Sequence, residues 1–437
     1  MKIVDILILG SGPAATMAAI GALQENPDIN VALLSQETSA AHRIGEALLT
    51  GTIYTLQEAG VLDAVLKQNF HPKIGAAYVW GESRIPWYVD YPCDNSLNYP
   101  NELKVDEGRL ALHVPRHQFD RILLEEAFRA GASLIEGKAK HAAIRGQFGD
   151  AYIQSITTGT GLKIKAKHYI DCTGQSAFLS KRLSIRKKIS APKVAKYFYS
   201  NSICWDTAMS NGFSPYRTNI ISSDYGWMWF IHLGAAGGEL TSVGFVGAPG
   251  DMKSLTPRCT KIFDKTLALF GSPLNGMRTY DNRPLDEFYK HPDYAYASEE
   301  LHGKNWSLSG DAALFLDPIL SQGVTLACHY GLMRGRAASR AIEGDVSANF
   351  NVTLNYKKEA AMLHKVVSSW YKHNKSVTDW KLDCETSSKQ LGGPSNDCDR
   401  AFQWITNLEN LSQDYSPYPN SQQIKINSNL GLLEDGS

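Results

Sequence analysis

The sequence predicts an α/β protein: a Rossmann-like dinucleotide-binding domain, an antiparallel-sheet domain inserted into it, and a C-terminal helical segment. Three observations carry this. Residues 3–9 form a buried-strand run, apolar except for Asp5, that breaks at Gly10-Ser11-Gly12 and resumes as an alanine-rich helical stretch, the opening of a βαβ unit. Residues 186–300 change texture to alternating aromatic and β-branched segments, which suits antiparallel strands. Residues 305–344 then return to the opening texture, an apolar strand, a Gly-Asp turn and a long helix. At about 100 to 200 residues per domain, a chain of 437 residues has room for two or three.

Taken in order, residues 3–9 give a strand apolar on both faces, as parallel strands are. Residues 14–24 supply the following helix and residues 30–34 the second strand. Helical apolar spacing over 53–68 surrounds Gly60. Residues 74–104 carry aromatics, prolines and Asn/Asp turns, the texture of an excursion out of the first domain. A helix is expected near 117–129, then short strands near 133–136, 142–145, 151–156 and 163–170. Strands at 219–222, 226–233 and 240–247 follow, with a helix near 258–270. After Ser347 the chain reads as helical to about residue 380. A polar Ser/Asn/Gln/Gly-rich stretch then offers too little apolar surface to specify structure. The expected boundaries give the dinucleotide-binding domain residues 1–75, 105–185 and 301–346. The substrate domain takes the 76–104 excursion and the 186–300 sheet, and 347–437 forms the C-terminal region.

Lys+Arg and Asp+Glu both number 44, so the formal net charge is zero. That argues against nucleic-acid binding, which relies on clustered positive charge. Hydrophobic residues at 43% and charged residues at 20% are ordinary for a soluble globular protein. None of the seven cysteines makes a C-x-x-C pair, so no metal site is expected and the thiols read as reduced. The N-terminus is not expected to be a signal peptide. Asp5 and the glycines cut its apolar run to Ile6 through Leu9, below the roughly 7 to 15 residues such a segment needs. No stretch approaches the ~20 apolar residues of a membrane-spanning helix. The simplest reading is a cytoplasmic protein that touches neither membrane nor nucleic acid.

Gly10-Ser11-Gly12-Pro13-Ala14-Ala15 fits G-x-G-x-x-A between a strand and a helix. Gly10 permits the sharp turn, Gly12 lets backbone approach a pyrophosphate, and Ala15 leaves room for helix and strand to pack. The helix start at Ala14 then offers N–H groups and a partial positive charge to the phosphates. The acidic ribose-binding residue usual at the end of the second strand is replaced by Ser35, followed by Gln36. Either can bond a hydroxyl without charge, so this motif alone leaves the nucleotide open.

Downstream, residues 305–327 read NWSLSGDAALFLDPILSQGVTLA. This closely resembles the G-D-A-A-x-F-x-D-P-x-x-S-x-G-V run of flavin-dependent halogenases and related FAD-dependent aromatic monooxygenases, the tryptophan-halogenase-like superfamily. Asp171-Cys172-Thr173-Gly174 resembles that family's D-A-T-G turn. Arg116 with Phe119-Asp120 resembles its R-x-x-F-D helix start, and Gly45-Glu46-Ala47 its G-E-A/S loop. Tyr294-Ala295-Tyr296 stands at the family's spacing before Gly310. In order, these features cover residues 1 to about 345. Singly, Asp311 could be a helix N-cap and Arg116 an exposed first-turn residue; together they point to one cofactor.

The resemblance implies FAD bound in a domain of the GR2, p-hydroxybenzoate-hydroxylase-like type. Asp311 would contact its ribityl or pyrophosphate part, and Arg116, Gly45 and Glu46 would line its path. The helix start after Gly323 would sit beside the ring. Gly174, Gly310, Pro318, Gln322 and Val324 are the remaining cofactor-site residues by this resemblance.

The resemblance also implies the chemistry. Reduced flavin and oxygen give a C4a-hydroperoxide, whose oxygen passes directly to an electron-rich ring in a monooxygenase. In a halogenase it is intercepted by halide, and a lysine ammonium carries the hypohalous acid to the substrate. Lys73, in Lys73-Ile74-Gly75-Ala76-Ala77-Tyr78-Val79-Trp80-Gly81, resembles the catalytic lysine of the family's K-x-G-A-x-F-x-W-G strand; a surface lysine is the alternative. Ser321-Gln322-Gly323 occupies the family's halide position. The family's W-x-W-x-I-P run departs here: Trp227-Met228-Trp229-Phe230-Ile231-His232 puts histidine where proline stands. Histidine keeps its backbone donor and adds a titratable group, which makes His232 a second candidate catalytic residue and tilts the reading from halogenation to oxygenation.

No second G-x-G-x-x-G follows a later strand, so electrons are expected from an external flavin reductase, free reduced flavin or the substrate. The resemblance extends to a branch of flavoproteins that oxygenates a tryptophan during cysteine tryptophylquinone maturation in quinoprotein oxidases. The expected function is thus FAD-dependent oxygenation of an indole or phenol, with a partner protein's tryptophan as one substrate. The alternatives are a halogenase of an indole, phenol or pyrrole, and a non-catalytic FAD-binding chaperone for an immature oxidase.

Overall fold

Residues 6–9 are fully buried because strands cover them on both sides and a helix covers one face. The computed structural model describes residues 1–36, 43–80, 85–91, 111–147, 150–223, 225–250, 257–272, 289–292, 295–371, 377–408 and 411. Its first sheet runs in the order Ser133–Glu136, Val31–Ser35, Lys2–Leu9, Lys163–Asp171, Tyr152–Thr158, Ala139–Arg145, and Trp306–Leu308 adds beside Lys163–Asp171. Leu9 pairs with both Leu34 and Asp171, and Asp171 with Leu308, so four parallel strands end on one edge. Ligands of such sheets bind beyond this edge.

The alanine-rich helix Pro13–Glu25 lies against the helix Gly323–Ile342. They meet backbone to backbone: a Cβ on Gly331 would come within 2.6 Å of the Ala14 carbonyl oxygen. The first turns of Pro13–Glu25 are therefore seated against the middle of Gly323–Ile342, where Gly331 and Gly335 leave room for the backbones to meet.

The second sheet is ordered Tyr289–Pro292, Val194–Ser200, Thr241–Gly247, Gly226–His232, Arg217–Ser223, Gly75–Val79, Trp87–Asp90. One pair departs from the antiparallel expectation. Gly75–Val79 lies parallel to Arg217–Ser223, because it enters from the first domain instead of through a hairpin. The expected strand around Lys73 is also interrupted. His71–Lys73 pairs with Ala111–His113, whereas Gly75–Val79 pairs with Arg217–Ser223 and Trp87–Asp90.

Along Gly226–His232 the pleat divides the side chains. Trp227, Trp229 and Ile231 join the main core, while Met228 and Phe230 pack into a separate cluster with Phe198, Phe213 and Phe270.

The expected helix over 53–68 is two, Thr50–Glu58 and Leu62–Leu66, divided at Gly60 with φ of +72°. Helical structure also runs past residue 380, as Ala348–Trp370, Val377–Gln390 and Cys398–Thr406. The polar composition concealed this because a few aromatic anchors do the packing. The Trp370 ring lies 5.3 Å from Trp380 and 5.6 Å from Phe402, centroid to centroid, and 5.3 Å from Tyr78 of the second sheet. Tyr99, Tyr294 and the chain beyond Leu411 lie outside the described residues. Among the described residues no helix is long and apolar enough to cross a membrane, and no His/Cys/Asp/Glu group is placed to hold a metal.

Candidate active site

Beyond the carboxyl edge of the parallel strands lies a cavity of about 700 Å³, walled on its far side by the second sheet. Of the residues expected to hold the cofactor, Gly10, Gly12, Ala14, Ser35, Gly45, Glu46, Arg116, Gly174, Gly310, Asp311, Pro318, Gly323 and Val324 line it. Ala15 is buried beneath the turn. Gln322 is also buried away from the lining, its Nε2 donating to the Asp317 carbonyl at 2.6 Å.

The two loop glycines do different work. Gly10 has φ of +117°, and a Cβ there would lie 2.5 Å from the Cys172 carbonyl oxygen, so it serves the meeting of two strand ends. A Cβ on Gly12 meets only the Arg43 guanidinium, at 3.5 Å. Among the described residues only that flexible side chain comes within 4 Å, leaving the space over Gly12 that a loop cradling a phosphate requires. No side chain caps the helix that follows Gly12, which leaves its first turn available to an anion. At the second strand's end, the Ser35 hydroxyl lies 2.8 Å from that of Ser11. A hydroxyl pair thus stands where a carboxylate is usual.

Arg116 is held by three hydrogen bonds from two sides: Nε and Nη2 bond the Asp120 carboxylate at 3.0 and 3.2 Å, and Nη1 donates to the Ile44 carbonyl at 2.6 Å. Asp171 accepts from the Thr173 N–H at 3.0 Å and the Leu179 N–H at 2.6 Å, which shapes the turn carrying Gly174. Burial pushes the Asp311 carboxyl up to about 6 against the opposing pull of Arg116 and Arg43. Burial likewise raises Glu46, whose carboxylate accepts from the Tyr199 hydroxyl at 2.7 Å. Glycine-opened space, two uncapped helix starts and fixed cations fit a dinucleotide along this cavity.

Lys73 is 1% exposed, which removes the surface reading. Its Nζ donates to the Leu48 carbonyl at 2.9 Å and lies 5.3 Å from the Tyr91 ring centroid. It stands behind the wall segment Glu46-Ala47, and Ala47 bridges to His113 on the strand paired with Lys73's own. No carboxylate among the described residues pairs with it, and burial lowers its pKa to about 7. His232 is placed differently. Because Ile231 lines the cavity, the pleat turns His232 away, and its imidazole sits 4.8 Å from the His71 ring and 3.3 Å from the Glu239 carboxylate. Neither Lys73 nor His232 is among the residues that line the cavity.

Several residues at the site carried no sequence signal of their own. Thr218 and Ile220 line the cavity, and His113 Nε2 lies 3.2 Å from the Thr218 hydroxyl. The Trp227 indole donates to the Tyr371 hydroxyl at 2.7 Å, and that hydroxyl donates to Asp317 at 2.9 Å. Lys193 reaches the same carboxylate oxygen at 2.8 Å. Asp317 belongs to the D-P run, but Tyr371 lies 144 residues from Trp227 and only the fold joins them.

The tryptophan halogenase family model matches residues 5–98 and 93–388. A 1H-pyrrole-2-carbonyl-(peptidyl-carrier protein) chlorinase of Pseudomonas fluorescens is 27% identical over 382 residues, 84% of this chain and 82% of that protein. A tryptophan 2-halogenase of Chondromyces crocatus is 28% identical over 348 residues, 78% of this chain and 62% of that protein. The myxobacterial chondrochloren halogenase, described as a variant of FAD-dependent halogenases, superposes with a TM-score of 0.70 at 22% identity. That superposition covers 94% of this chain and 97% of the other, and shows a shared fold.

Proposed function

The chain belongs to the tryptophan halogenase family, and from that premise we propose that it oxygenates an electron-rich aromatic ring, an indole or phenol. It is an oxidoreductase and its cofactor is FAD. The observation that carries the catalytic reading is Lys73: a lysine removed from water, with no carboxylate partner among the described residues, whose Nζ donates to the carbonyl of Leu48, the neighbour of cavity-lining Ala47. Burying an ammonium without a carboxylate is costly, and a catalytic role is the use we infer for it.

FAD, when bound and reduced, supplies the two-electron activation of dioxygen. The chain does the rest. Arg116, fixed by Asp120, and the open helix starts at Gly12 and Gly323 hold the cofactor's anionic parts. Trp227 and Trp229 form a rigid wall, Trp227 through Tyr371 and Trp229 through the Ser242 hydroxyl at 3.1 Å. With a pKa near 7, Lys73 Nζ can give and recover a proton at neutral pH. The reaction balances as ring C–H, O₂, two electrons and two protons giving ring C–OH and water. We assign the electrons to a separate flavin reductase.

The preference for oxygen over halogen rests on position 232. The strand Gly226–His232 stays in register with Thr241–Gly247 to its end, with His232 opposite Thr241 and the Leu233 N–H donating to the Leu240 carbonyl at 2.8 Å just beyond. The segment following the cavity-lining Ile231 is therefore ordinary strand. Halogenation is the second reading, favoured by Lys73 and by the Ser321–Gly323 turn at the uncapped start of the helix Gly323–Ile342. In its narrowest form the proposed substrate is a tryptophan of a quinoprotein oxidase precursor during cysteine tryptophylquinone formation. Turnover under ¹⁸O₂ with excess bromide, read by mass spectrometry on indole, phenol and tryptophan-peptide substrates, tests the choice. Labelled hydroxyl in the product supports oxygenation, and the paired isotope pattern of bromine reverses it.

A further inference from the structure

A second cleft, of about 580 Å³, opens beside the cofactor cavity. Three cations line it, Lys181, Arg186 and Lys188, together with Ser180, Ser184 and Ser190. Among the described residues no carboxylate lines this cleft, and none forms an ion pair with these three side chains. Arg186 and Lys188 stand two apart on the strand Arg186–Lys188 and share a face, whereas Lys187 between them faces Glu299 at 3.7 Å.

The arrangement is ordered. The Arg186 guanidinium lies 3.4 Å from the Tyr296 ring centroid, and its Nη1 donates to the Gln175 carbonyl at 3.3 Å. Lys181 Nζ donates to that same carbonyl at 3.2 Å. Two like charges thus converge on one neutral acceptor. Asp171, the carboxylate acting on Lys181 from further off, is itself committed to Thr173 and Leu179. Cations with no ion-pair partner among the described residues, set in a concave site, raise the local concentration of anions, and a stacked guanidinium presents its fork pre-oriented.

We propose that this cleft binds a phosphate-bearing small molecule. The three cations bring the donors, the Ser180 and Ser190 hydroxyls being turned to the Ala177 and Ala191 carbonyls, and this matches a group offering several acceptor oxygens and two negative charges. The volume lies within the roughly 300–1,000 Å³ of small-molecule sites, enough for a mononucleotide. The cleft also touches the cofactor cavity: Gln175 lines both, and the Tyr296 hydroxyl donates to the Asp311 backbone carbonyl at 2.7 Å. Occupancy would therefore be felt at the flavin loop. The proposal stands independently of whether the enzyme transfers oxygen or halogen.

The test uses the full chain saturated with FAD, so that the dinucleotide cavity is filled. Inorganic pyrophosphate, FMN and citrate are titrated by calorimetry. Saturable binding of one pyrophosphate or FMN per chain is expected, weakened by added salt and at least tenfold weaker in Arg186→Gln and Lys188→Gln. Both variants should keep wild-type FAD content and melting temperature. Tighter binding of FMN than of pyrophosphate names a mononucleotide as the ligand, and equal binding a free phosphate. Absence of saturable binding, or binding that neither substitution weakens, overturns the site. Citrate binding as tightly as pyrophosphate overturns the phosphate assignment.

Discussion

Replacing Lys73 with methionine separates catalytic purpose from structural need. Burial lowers the Lys73 pKa from 10.5 to about 7, and at about 1.36 kcal/mol for each pH unit this is a penalty of roughly 5 kcal/mol, an order-of-magnitude figure. Below pH 7 the folded protein carries the full penalty. Between pH 7 and 10.5 the unfolded chain binds the extra proton, so wild-type stability rises with pH across that window. Methionine keeps the apolar stem and removes the charge, at the loss of one hydrogen bond to the Leu48 carbonyl worth about 1 kcal/mol. Lys73→Met is therefore expected to be more stable than wild type by several kcal/mol at pH 6–7, with the gap closing toward pH 10. Product formation should fall at least ~100-fold, a typical loss for a positioned acid–base group, with FAD content unchanged. Scanning fluorimetry from pH 6 to 10, beside steady-state turnover, measures both. A variant less stable than wild type at pH 7, or one with unchanged turnover, refutes the reasoning.

Gly12→Val should abolish FAD binding and leave the fold intact, because the space above Gly12 meets only the Arg43 side chain; flavin absorbance and circular dichroism check the two halves. Tyr371→Phe should cost about 1–3 kcal/mol in denaturant unfolding, since it strips the buried Trp227 N–H and one Asp317 oxygen of a partner. In cofactor-free protein Asp311 by itself should weaken stability as pH rises from about 4 to 6, because it binds its proton more tightly folded than unfolded, while buried His71, His291, His302 and His329, which burial lowers to about 4, act in the opposite direction. Asp311→Asn should remove at most about 3 kcal/mol of that slope, measured by urea titration at pH 4 and 6.

Local patterns in the chain were enough for the parallel sheet and its cofactor loop. The apolar run before Gly10, the glycine spacing and the G-D-A-A run are contiguous features whose meaning depends on covalent neighbours, and all of them meet at one cavity. Residue type and alternation also sufficed for the second sheet, but not for its parallel pair, since strand direction depends on where Gly75–Val79 enters from. The helices past residue 380 were obscured because burial there rests on Trp380, Phe402 and Trp404 in an otherwise polar segment.

The sequence by itself determined the cofactor class and most of the side chains around it. Only the tertiary structure decided where Lys73 and His232 stand. Both stand in family-like motifs, and neither motif says which way its side chain points. Pairing of His71–Lys73 with Ala111–His113 buries the lysine behind Glu46-Ala47. The pleat that turns Trp227, Trp229 and Ile231 toward the cavity turns His232 from it. The Trp227–Tyr371–Asp317 chain and the cationic cleft likewise join residues far apart in sequence. The reason is common to all of these: side-chain direction and long-range contact are set by strand register and by which elements pack together, and neither is encoded in any short stretch of chain.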